Sequence, residues 1–317
     1  MAGVQFNSKF SMKVGRQELN YDDARILDNL DWAAQARSYD ALKFAYQDSL
    51  MQVDGVLAFN LSGEIPEPVK LFNNIYNSPG GFSTLGGDLP NYKNLQLLWF
   101  KRQIKKSNFR LILDNIGWQM PDSTVSYLLT TGFNSKIVVN TKIDINGSLY
   151  YQIGEDIADR KTEAYLAALN LGFKTRSSFR YKLGFNYVSG SEAWEGANQS
   201  SSFDPLFGTH HKFYGLMDYF YVGSPHNQSG KTIGLWDYYL GGELTLREAF
   251  KLLLTVHGFS SSVSIINQTL ITENLNPHLG TDLDLVFNYK YSADINFKTV
   301  YSQYVGNFKY GNYKVRR

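Results

Sequence analysis

The 317-residue chain contains no cysteine. That removes disulfides, thiolate metal centres and cysteine nucleophiles from consideration. It also has no run approaching the roughly 18 apolar residues of a membrane helix, and mean hydropathy is only -0.30. Strands that cross a membrane hide their hydrophobicity by alternation, so these values speak only about helices. The formal net charge of +2 is too small for a nucleic-acid-binding field. No Walker A pattern and no G-x-G-x-x-G between strand and helix is present, so no nucleotide or redox cofactor is expected. No signal peptide opens the chain. Met1-Ala2-Gly3 runs directly into Val4, Phe6, Phe10, Met12 and Val14, which already alternate. The expectation is a section of a larger barrel that lacks its first strands and export signal.

What is present is alternation. Ile143, Ile145, Leu149, Tyr151 and Ile153 interleave with Asp144, Asn146, Ser148 and Gln152. Leu283, Leu285, Phe287, Tyr289 and Tyr291 interleave with Asp282, Asp284, Asn288 and Lys290. Period-two alternation marks a strand with one apolar face. About thirteen such strands can be read: 4–16, 36–47, 49–60, 94–104, 108–118, 124–137, 142–155, 162–175, 179–190, 231–247, 250–260, 281–292 and 295–308. Tyr and Phe, at 22 and 21 residues, lift the aromatic fraction to 15%, and they crowd the strand ends. Tight turns alternate with long connections at 17–35, 61–93, 191–230 and 261–280. These features predict an all-β, antiparallel up-and-down transmembrane β-barrel, or a large section of one, as a single domain over 1–317. Its apolar face meets outer-membrane lipid and its long loops are extracellular.

Charge assigns the faces. Lys43 opposes Leu42, Phe44 and Tyr46, while Arg110 and Asp114 oppose Phe109, Leu111 and Leu113. Arg180 and Lys182 oppose Tyr181, Leu183 and Phe185, and Lys251 opposes Leu252 and Leu254. A Lys or Arg at the bilayer midplane costs about 2–4 kcal/mol, so the charged face is luminal. Lys9, Lys13, Arg37, Lys174, Arg247, Lys290 and Lys298 sort inward by the same logic, as do Asp54, Asp144, Asp237, Glu243, Asp282 and Asp284. The interior is mixed with a basic excess, suited to polar or anionic solutes. The plainer reading is that these charges only solvate a water-filled interior.

Two stretches carry more than a pattern. One is Val14-Gly15-Arg16-Gln17-Glu18-Leu19-Asn20-Tyr21-Asp22-Asp23-Ala24-Arg25, followed by Leu30-Asp31-Trp32 and Ala36-Arg37-Ser38-Tyr39-Asp40-Ala41. The other runs from Phe203-Asp204-Pro205-Leu206-Phe207-Gly208 through Lys212-Phe213-Tyr214-Gly215-Leu216 to Phe220. The first resembles the GRQ-L-Y-D-x-R and W-x-x-x-x-R-x-x-D pattern of the alginate export family of outer-membrane porins. The second is similar to a long extracellular segment of that family's Bacteroidetes-type members. The resemblance implies a barrel of about eighteen strands and passive passage of an anionic polysaccharide, or a related polar solute, through an arginine-rich constriction. It carries Arg16, Arg25 and Arg37 over as pore-lining residues, to which the charged faces add Lys43, Arg110, Asp114, Arg180 and Lys182. A guanidinium grips carboxylates at two points. Against this, Arg16 shares its parity with Val14 and so faces lipid by strict alternation, or pairs with Asp22 or Asp23 to pin a loop.

The rival classes have less support. Of the five His, only His257 is a luminal strand residue, and no serine context singles out a nucleophile. No enzyme is therefore expected. Adjacent His210-His211 point apart on extended backbone and gather no ligand set. No EF-hand spacing supports calcium, so no metal is expected. A soluble β protein would show polar residues on both faces or apolar pairs between sheets. A general small-solute porin is the alternative within the barrel reading. Loop 61–93, with Pro79-Gly80-Gly81 and Gly86-Gly87, is expected to fold into the pore mouth.

Overall fold

The computed structural model describes residues 1–31, 36–60, 92–120, 124–176, 178–209, 212–220, 231–247, 249–266 and 274–307. No helix occurs among them. One antiparallel meander carries the fold: β1 (Ala2–Gln5), β2 (Phe10–Gln17), β3 (Tyr39–Gln47), β4 (Met51–Phe59), β5 (Tyr92–Ile104), β6 (Ser107–Gln119), β7 (Val125–Val138), β8 (Ile143–Glu155), β9 (Lys161–Arg176), β10 (Phe179–Val188), β12 (Leu235–Arg247), β13 (Phe250–Ser260), β16 (His278–Lys290) and β17 (Asn296–Gly306). Each strand pairs with its sequence neighbour in that path. The short β11 (Gln199–Ser200) adds to β9 in parallel, and β14 (Ile265–Ile266) pairs with β15 (Asn274–Leu275) apart from the sheet.

The strand assignments agree closely with the expected ones. The stretch 4–16 is the exception, because it is a hairpin: Asn7 Oδ1 accepts the N–H groups of Lys9 and Phe10 at 2.8 and 2.9 Å and turns the chain. The same device closes other short connections. Asp48 Oδ1 accepts from Leu50 and Met51. Asn140 Oδ1 accepts from Lys142 and Ile143. A side-chain oxygen two or three residues ahead of a strand supplies the local acceptor that a tight turn needs. The long connections all fall on one rim, which the shorter β6–β7 and β8–β9 connections share, and the remaining short turns fall on the other, which places that second rim on the periplasmic side.

The outer face is apolar. Leu57, Leu98, Leu111, Leu149, Leu183, Leu240 and Leu254 are among the exposed large side chains along the strands. Aromatic pairs border this band at both rims. Phe10–Tyr46 and Phe250–Tyr289 lie by the short turns, with centroids 4.9 and 4.4 Å apart. Tyr151–Tyr165 and Tyr187–Trp236 lie by the long connections at 5.0 and 4.5 Å. Such girdles mark the two water interfaces of a membrane barrel. Among the described residues, β1 and β17 do not pair with each other.

The core lies inside the curve of the sheet, built by two long connections that fold inward. Residues 18–31, 203–209 and 212–220, read from the sequence as parts of extracellular connections with Arg25 reaching the pore, bury Leu19, Ile26, Leu27, Phe203, Tyr214 and Phe220 against inward side chains such as Tyr39, Tyr92, Ile116, Leu128, Leu166 and Phe259. Their apolar residues have no other dry surface to reach, whereas the outer wall is already committed to lipid. Loop residues 61–91, where the pore-mouth expectation falls, lie outside the described residues, as do His210 and His211.

Candidate functional site

The two inward segments clasp each other first. Leu27 and Phe207 form a parallel bridge. Asp28 N–H donates to Phe207 O and Phe207 N–H to Ile26 O, both at 3.0 Å. Thr209 N–H donates to Ala24 O at 2.8 Å. Gly208 is required for this approach, since a Cβ there would sit 2.0 Å from Arg25 O. Of the nine non-glycine residues with left-handed φ among the described residues, seven lie in or beside these segments: Asp22, Ala24, Leu30, Ala36, Leu206, Tyr214 and Asp218. Each such conformation costs on the order of 1–3 kcal/mol and persists only where surrounding contacts over-determine it.

Contacts to the wall come from opposite sides of the sheet. Tyr21 OH donates to Asp54 on β4 at 3.1 Å, and Trp99 Nε1 on β5 donates to Asp22 at 2.8 Å. Asp23 accepts from Ser148 Oγ at 2.8 Å and Tyr150 OH at 3.2 Å on β8. Asp204 is fixed to Gln152 through its own N–H and C=O. Leu216 N–H donates to Asp284 on β16 at 3.0 Å, and Phe220 stacks between Phe259 and Tyr304. The sheet therefore wraps around a plug held at β4, β5, β8, β13, β16 and β17. Burial pushes the Asp22 carboxyl up to about 6 and raises the Tyr21 hydroxyl, with Asp54 beside it adding to the effect.

The three arginines from the sequence motifs separate into different roles. Arg25 is inside but enclosed. Its guanidinium meets Asp23 at 3.0 Å, Asn186 Oδ1 at 2.5 Å and Tyr214 OH at 3.2 Å, and lies 3.7 Å from the Phe213 ring centroid. Its side chain is 6% exposed. Arg37 donates to Phe207 O and lies over the Phe207 ring; with Arg25 it ties the plug together. Arg16 faces outward beside Val14, 65% exposed, and is bound in two-point fashion by Asp40 at 2.9 and 3.1 Å. Its pore-lining assignment gives way to the parity that alternation demanded, with Asp40 as its partner instead of Asp22 or Asp23.

Lys43, Arg110, Asp114, Arg180 and Lys182 lie on the inner face of their strands. Lys43 pairs with Asp54 at 2.6 Å, Arg180 with Asp144, and Lys182 with Glu243 at 3.7 Å. Arg110 donates to Asn134 Oδ1 at 2.8 Å. Asp114 is 0% exposed beneath the plug, and neither carboxyl oxygen has a hydrogen-bond partner among the described residues. It therefore lines packed protein and not an open path, which corrects its assignment as a contact for solute.

Register reveals an arrangement that face-sorting missed. Below the plug, on the periplasmic side, three pairs of cations stand directly opposite one another on adjacent strands: Lys13↔Lys43, Lys101↔Arg110 and Lys174↔Arg180. No carboxylate of the described residues forms an ion pair with Lys13, Lys101, Arg110 or Lys174. Lys101 was not anticipated, because Leu95, Leu97 and Trp99 make the inner face of β5 read as the lipid face. Above this belt the acids collect. Asp237 holds His257 Nδ1 at 2.7 Å and Asn186 Nδ2 at 2.8 Å, while Asp284 accepts from Ser302 Oγ at 2.5 Å. Cations thus outnumber acids towards the short turns, where Asp144 and Glu243 offset part of them, while Asp237, Asp282 and Asp284 gather beside the plug. Among the described residues, no cluster of three or more His, Asp or Glu has metal-binding geometry.

An antiparallel meander with an apolar girdled exterior and a charged interior filled by its own loops defines an outer-membrane porin fold. Solved structures agree. OccK11 (OpdR) of Pseudomonas aeruginosa superimposes with a TM-score of 0.58 at 10% identity, over 94% of this chain and 72% of its own. OccAB4 of Acinetobacter baumannii gives 0.58 at 10% identity, over 94% and 68%. Pseudomonas aeruginosa OpdK, solved with vanillate, gives 0.60 at 10% identity, over 95% and 72%. No curated protein sequence matches the chain. The alginate export family model matches residues 2–312, and the chain belongs to that family. It is an outer-membrane β-barrel channel.

Proposed function

We propose that this channel passes an anionic polysaccharide or oligosaccharide of the uronate type by passive diffusion. One observation carries the reading: three like-charged pairs, Lys13↔Lys43, Lys101↔Arg110 and Lys174↔Arg180, face the interior below the plug. Like charges directly opposite on neighbouring strands destabilise a sheet. Asp54 and Asp144 offset two of the pairs through Lys43 and Arg180, while Lys101↔Arg110 has no ion-pair partner among the described residues. A fold that keeps such pairs where neutral residues would be cheaper uses them on something that passes. Guanidinium and ammonium groups spread over several strands hold carboxylates weakly at many points, so a polymer can enter and still leave. Family membership supports the same solute class.

A second reading is a channel for small polar solutes, favoured by the likeness in fold to OpdK, solved with vanillate. Liposome swelling separates the two. Proteoliposomes challenged with oligouronates, monouronate and neutral sugars of matched size should swell fastest with the uronates, and oligomers should still enter. Entry of monomers only supports the small-solute reading, and equal rates for neutral and anionic sugars contradict the anionic-solute reading.

A further inference from the structure

The outer wall carries a chain of polar side chains inside its apolar band, at the extracellular ends of β4 to β7. Its origin is a bulge. Tyr92 pairs with Trp118, but the next pair is Asn94↔Gly117, so Lys93 is an extra residue in β5. A bulge re-aims the side chain it inserts. Lys93, which strict alternation would send inward with Leu95 and Leu97, instead extends its ammonium to within 5.2 Å of the centroid of the Phe59 ring on the outer face. Phe59 is 55% exposed there.

Next to it, polar side chains occupy positions where the rest of the wall is leucine. Gln96 stands between Leu57 and Asn115 in the register. Asn115 Nδ2 donates to Gln96 Oε1 at 2.7 Å, Gln96 Nε2 donates to Asn94 Oδ1, and Asn94 Nδ2 donates to Tyr127 OH at 3.3 Å. Leu98 and Leu113, the next outward residues towards the membrane centre, are 50% and 45% exposed. Gly117 belongs to the patch as well, since a Cβ there would meet the Tyr127 ring at 2.8 Å and Asn94 Oδ1 at 3.0 Å. The chain of amides leaves one N–H of each amide and the side-chain oxygen of Asn115 without a hydrogen-bond partner among the described residues. Polar groups at lipid-facing positions are unfavourable unless a partner satisfies them, and the Lys93 ammonium, which forms no ion pair among the described residues, selects an anion.

We infer that Lys93, Asn94, Gln96, Asn115 and Tyr127 bind the phosphorylated sugar headgroup of an outer-leaflet glycolipid. The ammonium meets the phosphate. The amides and the tyrosine hydroxyl, which both donate and accept, suit the hydroxyls of a sugar. Phe59 and the leucines below receive the first part of the acyl chains. The long-connection rim faces outwards, so the patch lies at headgroup depth in the outer leaflet. The inference rests on membrane orientation alone and is independent of which solute the channel passes.

The test uses the detergent-purified, delipidated protein with lipopolysaccharide as probe, read by native mass spectrometry. Phosphatidylglycerol and inorganic phosphate are the comparison probes. The triple variant K93Q/Q96L/N115L should bind lipopolysaccharide at least tenfold more weakly than the wild type, with folding verified by heat-modifiable gel mobility. If the triple variant does not fold, Lys93→Gln alone should weaken binding at least threefold. Unchanged affinity in a folded variant overturns the proposal. So does phosphatidylglycerol binding as tightly as lipopolysaccharide, which would indicate non-specific attraction of anionic lipid, or competition by inorganic phosphate alone at equal concentration, which would indicate a simple phosphate site.

Discussion

The guanidinium of Arg25 lies 3.7 Å from the centroid of the Phe213 ring, joining two chain segments that are nearly two hundred positions apart. With Asp23 on one side and Asn186 on the other, this stack fixes the plug to itself and to β10. Removing the arginine leaves Asp23 with an uncompensated, partly buried charge. Breaking a buried pair from one side costs about 3–5 kcal/mol. Arg25→Ala should therefore lower the midpoint of plug unfolding and raise single-channel conductance, with the strands retained. Arg25→Lys should recover little, because an ammonium cannot stack flat and reach both partners. Proteolysis of the loops, read alongside conductance, checks both.

Asp22 gives the plug a pH dependence. Burial raises its carboxyl to about 6, against an ordinary 3.8. A carboxyl raised in the fold is neutral and comfortable at low pH. Its favourable contribution is fully present below about 4 and is lost as pH rises through about 6. Above that, a charged Asp22 costs on the order of 2 kcal/mol. Asp22→Asn keeps an acceptor for Trp99 Nε1 and should raise thermal stability at pH 8 while changing little at pH 4. A stability gain that is equal at both pH values would contradict the assignment.

Asp114 and Arg16 serve as controls for the site. Asp114 is enclosed with both oxygens unpartnered among the described residues, and a buried acceptor left unmade costs about 1–3 kcal/mol. Asp114→Leu should stabilise the protein by a similar amount and leave ion selectivity unchanged. Arg16, exposed on the outer wall with Asp40, should contribute at most about 1 kcal/mol. Arg16→Gln should shift neither selectivity nor oligosaccharide uptake, in contrast to changes at Lys101 and Arg110.

The sequence disclosed the wall better than its contents. Alternation placed Lys43, Arg110, Arg180 and Lys182 on the inner face because lipid tolerates no charge opposite leucine. It also put Arg16 outward, where the structure has it. It failed where two rules competed. The stretch 4–16 keeps its parity across the Asn7 turn, so a hairpin read as one strand. On β5 the inner face is apolar because a plug covers it, and period-two patterning cannot tell lipid from packed loop. Lys101 was missed for that reason. The plug itself was invisible because inward folding depends on contacts such as Leu27↔Phe207 between remote segments, and on left-handed residues such as Asp22 and Tyr214 whose identities do not announce that conformation.

The inward cation pairs are the centre of the functional account, and reversal potential across a planar bilayer under a potassium chloride gradient reads them directly. The wild-type channel should be anion-selective, and K101E/R110E should move the reversal potential to the cation-selective side with the barrel intact. A cation-selective wild type, or a folded double variant with an unmoved reversal potential, would contradict the claim that these residues set what passes.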